Sequence, residues 1–309
     1  MNEHSPGLKI SVVICTYNRD KFIGTALQKL TEQSLPAPNF EVIIVDNRST
    51  DNTAQICQEF IATHQHLNFR YVYEASKGLS FARNRGCHEA ASPIITYIDD
   101  DAEATPKFLE SIVGFLNKHN EAVGLGGRVI PIYPDTSEPA WMNPFLNGFV
   151  GRVDFGENPT VFHGKMKYPA GCNMTYKKEV IQRVGGFNNE LTFRSDDKYI
   201  YYQVTKVSSC IYYLPEATVY HNIDKERLAF SSFRKLFLKT GNEEKVRIRT
   251  EKGGLMLVKK FAELLFKFGA SLLIYLKYLV SGKEIKGRYI VWAQWFTLKG
   301  FLRKNVFVR

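Results

Sequence analysis

The 309-residue chain has no C-x-x-C pair, and its five cysteines (Cys15, Cys57, Cys87, Cys172, Cys210) are odd in number and scattered. That argues against a disulfide framework or a cysteine zinc site and fits a reducing, cytoplasmic compartment. There is no G-x-x-x-x-G-K-[ST] and no G-x-G-x-x-G, so neither P-loop nor dinucleotide-binding chemistry is indicated. No run of about 20 residues is nearly uncharged. The most apolar window, Phe261 to Val280, is interrupted by Glu263, Lys267 and Lys277, which disfavours a membrane-spanning helix. Met1 to Gly7 is polar and the first apolar run is short and strand-like, so no secretory signal is expected. Repeats and low-complexity segments are absent too.

What is there is a chain 44% hydrophobic and 13% aromatic, ample for one large domain with an appendage. Its net charge of +10 is uneven: residues 1–224 hold 21 Lys+Arg against 25 Asp+Glu, and residues 225–309 hold 20 against 6. The C-terminal balance of +14 marks that part as meeting something anionic, a lipid surface or nucleic acid. We therefore read residues 1–225 as one domain and 226–309 as a basic, amphipathic helical region. Its interleaved Tyr275, Tyr278, Tyr289, Trp292, Trp295 and Phe296 suit a helix lying in a headgroup plane.

The first part alternates short β-branched runs with helical periodicity. Runs at Lys9–Cys15, Phe40–Val45, Phe69–Tyr73 and Pro93–Ile98 read as buried strands. Between the first two, Phe22, Ile23, Ala26, Leu27 and Leu30 recur at helical spacing. Strands and helices at this spacing predict successive βαβ units and a mostly parallel sheet, an α/β fold. Thr105 is expected to cap a helix beginning at Pro106. Residues 131–171 read as a long irregular loop region. Cys210–Leu214 and Ala217–Tyr220 read as two strands leading to His221.

Three carboxylates, Asp99-Asp100-Asp101, follow the fourth strand directly. Ligands bind at that carboxyl-end rim in α/β sheets, and adjacent like charges repel unless a cation or its ligand compensates them. Carboxylates at D-x-D spacing offer hard oxygen ligands to Mg²⁺ or Mn²⁺, and such an ion bridges the diphosphate of a nucleotide. A second acidic turn, Ser195-Asp196-Asp197, heads another expected helix, over Lys198 to Val204.

Val12 to Arg19, Ile44 to Asp51, Gly78 to Gly86, Tyr97 to Asp101, Gly185-Gly186-Phe187 and Ser195 to Asp197 together resemble family 2 glycosyltransferases of the GT-A fold, over residues 8 to 230. The resemblance implies transfer of a sugar from a nucleotide diphosphate, a UDP-sugar favoured, to a glycan or glycolipid. It implies that Thr16, Tyr17 and Arg19 lie along the nucleotide and that Asp46 bonds its base or ribose. Lys77 and Arg83 become candidates for diphosphate or base contacts, with Asp100 beside the donor. Asp99 and Asp101 would hold the Mg²⁺ or Mn²⁺, and His221, 24 positions past Asp197, matches a metal-binding histidine of many relatives. An inverting transfer needs a carboxylate on the acceptor side to take the hydroxyl proton. Asp197 is favoured for this over Asp196, where relatives usually show Glu-Asp. Trp141 is read either as an acceptor platform or as a buried structural tryptophan. The expected location is cytoplasmic, peripheral on the inner face of the cell membrane, with an anionic lipid surface as partner and no nucleic acid. A nucleotidyltransferase and a nucleic-acid-binding protein using the basic tail are the competing readings. The first would need no second acidic turn, and the acidic rim opposes the second.

Overall fold

The structure, a computed structural model, describes residues 7–135, 137–166, 168–191, 196–252 and 254–303. Within them the chain divides into two compact units, one built from residues up to Ile132 and from Gly151–Asn222, the other from Tyr133–Val150 and from Ile223 onward.

The first unit is α/β. In chain order it carries β1 (Ile10–Thr16), α1 (Ile23–Thr31), β2 (Phe40–Asp46), α2 (Thr53–Thr63), β3 (Phe69–Tyr73), α3 (Leu79–Glu89), β4 (Ile94–Asp99), β5 (Ala102–Ala104) and α4 (Phe108–Lys118). There follow β6 (Gly124–Ile132), β7 (Thr160–Val161), β8 (Asn173–Lys177), α5 (Lys178–Arg183), α6 (Asp196–Val204) and β9 (Ile211–Asn222). The strands form one sheet in the order β3-β2-β1-β4-β8-β6-β9-β5, with β7 on β9. The half from β3 to β4 is parallel, as the βαβ spacing predicts, and β8 enters antiparallel between β4 and β6.

Strands covered on both faces read as continuous apolar runs. Val12, Ile14, Val42 and Ile44 point into one core layer, where α1 contributes Ile23, Leu27 and Leu30 and α4 contributes Phe108, Ile112 and Leu116. Val13, Ile43 and Val45 point into the other, with Ala82 of α3 and Ile200 of α6. This alternation is the two-residue repeat of a strand. Glu41, buried in β2, is satisfied by Ser11 Oγ (2.6 Å), the Ala91 N–H (2.7 Å) and Arg70 (3.2 Å).

Three local expectations are corrected. Thr105 caps no helix: its hydroxyl donates to the Thr218 carbonyl (3.0 Å), and α4 begins at Phe108. The carboxylate turn leads first into β5, which pairs with β9. The two expected strands around Pro215 are one strand, β9, whose pairing with β6 jumps from Gly127↔Leu214 to Val129↔Val219. Proline has no N–H for a ladder, so it sits at that irregularity.

The second unit is helical: α7 (Lys225–Leu228), α8 (Phe230–Lys252), α9 (Gly254–Val280) and α10 (Glu284–Leu302). Its core gathers Met142, Leu146 and Phe149 from the segment Tyr133–Val150 around Phe233, Tyr289, Ala293 and Phe296. No described helix is long and apolar enough to cross a membrane.

Candidate functional site

Parallel register assembles the rim. Thr16 at the end of β1 stands opposite Asp46 of β2, and Cys15 stands opposite Asp99 of β4. Beyond β1 the chain turns through Asn18 with positive φ, and beyond β2 through Arg48 likewise. The two turns are laced together: Asn18 N–H donates to Ser49 Oγ (3.0 Å) and Thr50 N–H to Asn18 Oδ1 (2.7 Å). Asp46 is 1% exposed and accepts from the Ser49 N–H and the Tyr71 hydroxyl, both at 2.7 Å. Burial, with that bond adding to it, pushes the Tyr71 hydroxyl pKa up. Tyr17 is exposed, with the Lys77 ammonium 5.8 Å from its ring centre.

Antiparallel pairing of β5 with β9 sets His221 against Ala102, one residue past the triple aspartate. The Asn222 N–H donates to the Asp101 carbonyl (2.8 Å), and His221 Nε2 lies 3.1 Å from Asp101 Oδ1. One ligand atom from each of Asp99, Asp101 and His221 falls within 4.8 Å of the others. Two carboxylate oxygens and an imidazole nitrogen are donors that suit Mg²⁺ or Mn²⁺, so the residues present fit a divalent cation. Burial raises the Asp100 carboxyl pKa well above the usual range, and the neighbouring Asp101 charge adds to it; Asp99 is raised mainly by burial. Arg19 offsets part of the rise at Asp100, its guanidinium 3.5 Å from Asp100 and 3.6 Å from Asp101.

Arg83 is the hub of the site. Its side chain, 3% exposed, pairs through Nη1 with Asp196, which is equally buried. Through Nη2 it meets Asp99 (3.5 Å) and donates to the Gly171 carbonyl (3.1 Å). Burial disfavours this charge, but the carboxylates of Asp196 and Asp99 hold the guanidinium pKa up. Asp197, half-buried in the first turn of α6, accepts from the Lys198 N–H (2.7 Å) and the Gly171 N–H (3.3 Å). The helix expected from Lys198 therefore starts at Asp196, and Ser195 lies outside the described residues.

Sequence reasoning passed over two contributors. Gly171, at the end of the stretch read as an irregular loop region, holds both Arg83 and Asp197; a Cβ there would stand 2.7 Å from Arg83 Nη2. Asn47 donates to the Glu74 (3.3 Å) and Ser76 (2.6 Å) carbonyls and accepts from Gly78 N–H (2.7 Å), fixing the loop that carries Lys77. Nothing local in the sequence marks either. Trp141 lies in the second unit, stacked on Tyr289 with ring centres 4.5 Å apart and edge-on to Phe149 and Phe233. The indole is half-buried against that cluster.

A family model described as glycosyl transferase family 2 matches residues 11–185. The glucosyl-dolichyl phosphate glucuronosyltransferase of Haloferax volcanii is 27% identical over 243 residues, 72% of either chain. The poly(ribitol-phosphate) β-N-acetylglucosaminyltransferase TarS of Staphylococcus aureus is 30% identical over 130 residues, 40% of this chain but only 22% of that protein. Among solved structures, S. aureus TarS 1–349 in complex with UDP-GlcNAc superposes with a TM-score of 0.59 at 19% identity, covering 93% of this chain and 91% of that one. The mannosyltransferase PcManGT of Pyrobaculum calidifontis, in complex with GDP-Man and Mn²⁺, gives 0.60 at 17% identity, covering 95% and 88%. These likenesses establish a GT-A-like α/β fold with a helical C-terminal region.

Proposed function

The chain belongs to glycosyl transferase family 2, and we propose that it is an inverting, metal-dependent enzyme moving a sugar from a nucleoside-diphosphate donor, foremost a UDP-sugar, to a hydroxyl of a lipid-linked or polysaccharide acceptor. The observation that carries the reading is the guanidinium of Arg83, which joins Asp99 at the strand end to Asp196 on the second acidic turn. One buried cation thus ties a donor-side carboxylate to the turn presenting Asp197.

On this reading the exposed Tyr17, with Lys77 beside it, and Arg19 line the nucleotide. Asp46 supports the adjoining loop and faces the base or ribose. Asp99, Asp101 and His221 would hold Mg²⁺ or Mn²⁺, whose chemistry when bound is to neutralise charge on the diphosphate. Asp197 is the general base. Its carboxylate is oriented by the Gly171 and Lys198 N–H groups, and a helix N-terminus is a favourable place for negative charge. It takes the acceptor's hydroxyl proton as that oxygen bonds to the anomeric carbon. The bond to the diphosphate oxygen breaks on the opposite face, its electron pair leaves with the nucleotide, and the configuration inverts. Asp196, committed to Arg83, positions the turn.

The UDP-GlcNAc and GDP-Man complexes of the neighbours support the donor class, and the relative acting on glucosyl-dolichyl phosphate supports a lipid-linked acceptor. The same reading has the chain working peripherally at the inner face of the cell membrane, where the +14 balance of residues 225–309 meets anionic lipid.

Calorimetric titration with UDP and Mn²⁺, run beside a turnover assay, tests the proposal. Asp101→Ala should lose metal-dependent nucleotide binding. Asp197→Asn should keep that binding while turnover falls about 10²–10⁴-fold, the usual worth of a positioned base. Metal-dependent binding that survives Asp101→Ala, or turnover that survives Asp197→Asn, overturns the assignment.

A further inference from the structure

The longest helix of the second unit has one face that no other described residue covers. α9 packs Leu257, Phe261 and Leu264 against Leu298 and Phe301 of α10. Away from them it exposes Val258, Leu265, Phe266, Leu272, Leu273 and Leu276, each between 43% and 75% accessible. Val258, Leu265 and Leu272 recur every seventh residue, as do Phe266 and Leu273, so at about 100° per residue they form one stripe rather than a scatter. An apolar stripe this long on a folded unit marks an interaction surface.

Charge selects the occupant. Lys259 and Lys277 are exposed and share one angular position at the edge of the stripe, beyond Phe266 and Leu273. The only carboxylate of α9, Glu263, is paired with Lys260 (3.0 Å) and with Lys267, so it does not oppose them. The surrounding residues 225–309 are strongly basic, which disfavours a second copy of the same face and favours an anionic partner. α9 is not apolar enough to cross a bilayer. A helix with an apolar face and a basic margin instead lies in the interfacial plane.

We infer that the exposed face of α9 is the lipid-docking element. Its leucine stripe enters the boundary between headgroups and acyl chains, and Lys259 and Lys277 lie among headgroup phosphates. The inference rests on the membrane-peripheral part of the reading above, not on its chemistry.

The test is sedimentation of the full chain with vesicles of phosphatidylcholine alone or mixed equally with phosphatidylglycerol. Nucleotide binding and light scattering are measured on the same samples. The wild type should pellet with the mixed vesicles and be released by salt. Phe266→Gln with Leu273→Gln, and separately Lys259→Gln with Lys277→Gln, should lower vesicle affinity about tenfold or more. Both pairs are solvent-exposed, so melting temperature and UDP binding should not change. No pelleting of the wild type overturns the membrane reading itself. Pelleting that the α9 variants retain, equal pelleting with neutral vesicles, or a dimer that the Phe266/Leu273 variant abolishes overturns the α9 assignment alone.

Discussion

At the scale of single residues, adjacent aspartates carry different burdens. Asp196 is buried against Arg83, whereas Asp197 is half-buried and held by backbone N–H groups. Breaking a buried ion pair from one side strands the other charge, at about 3–5 kcal/mol. Arg83→Ala should therefore lower unfolding free energy in urea by about that much, since it leaves Asp196 and Asp99 uncompensated. Arg83→Lys keeps the charge but lacks the planar fork that meets Asp196, Asp99 and the Gly171 carbonyl together. It should retain most of the stability and lose turnover, chiefly in kcat, because the acidic turn is no longer pinned to the donor side. Asp196→Asn should lower both stability and turnover, and Asp197→Asn turnover alone. Equal stability losses for Asp196→Asn and Asp197→Asn would erase the division of roles.

Elements show where reading a sequence stops. β1 to β4 are legible because doubly covered strands are continuous apolar runs, and Asp99 and Asp101 are legible because they abut such a run. The join between Arg83 and Asp196 is not, since 113 positions separate them and the antiparallel entry of β8 decides what Gly171 touches. The glycine-rich start of β6 carries no strand signal either. Pairing with β8 and β9 makes it a strand, and at Gly127 the Ala217 carbonyl comes to 1.8 Å of where a Cβ would stand, so no larger residue fits. Close approach governs the helices as well. A Cβ on Gly241 of α8 would lie 1.9 Å from the Thr297 carbonyl oxygen, and one on Gly300 of α10 would lie 2.0 Å from that of Leu238. Alanine normally favours a helix over glycine by about 1 kcal/mol, but here it meets backbone, which cannot swing aside. Gly241→Ala or Gly300→Ala should therefore destabilise, by about 1–3 kcal/mol of overpacking, read as a lowered thermal midpoint. A raised midpoint would mean that α8 and α10 stand further apart than described.

The whole molecule constrains which experiments can separate its parts. Charge along the chain changes sign near residue 225, and cutting there looks like the natural way to isolate the catalytic portion. The packing says otherwise. Tyr133–Val150 belongs with the helices: Met142, Leu146, Phe149 and Val150 are each at most 3% exposed, in a core completed by Phe233, Tyr289, Ala293 and Phe296. A chain ending at Asn222 keeps the first group and loses the second. Each stranded side chain forfeits about 1.5–3 kcal/mol of burial, and together they form a contiguous apolar loop facing water. Such a truncation should elute as aggregates and bind a hydrophobic dye, even though β1 to β4 and the residues of the rim are all retained. A monodisperse fragment that binds UDP with wild-type affinity would show that the loop finds cover without the helices. Loss of membrane binding on deletion of the basic region would accompany misfolding in any case, so only exposed substitutions on α9, which leave that core intact, can assign the docking surface.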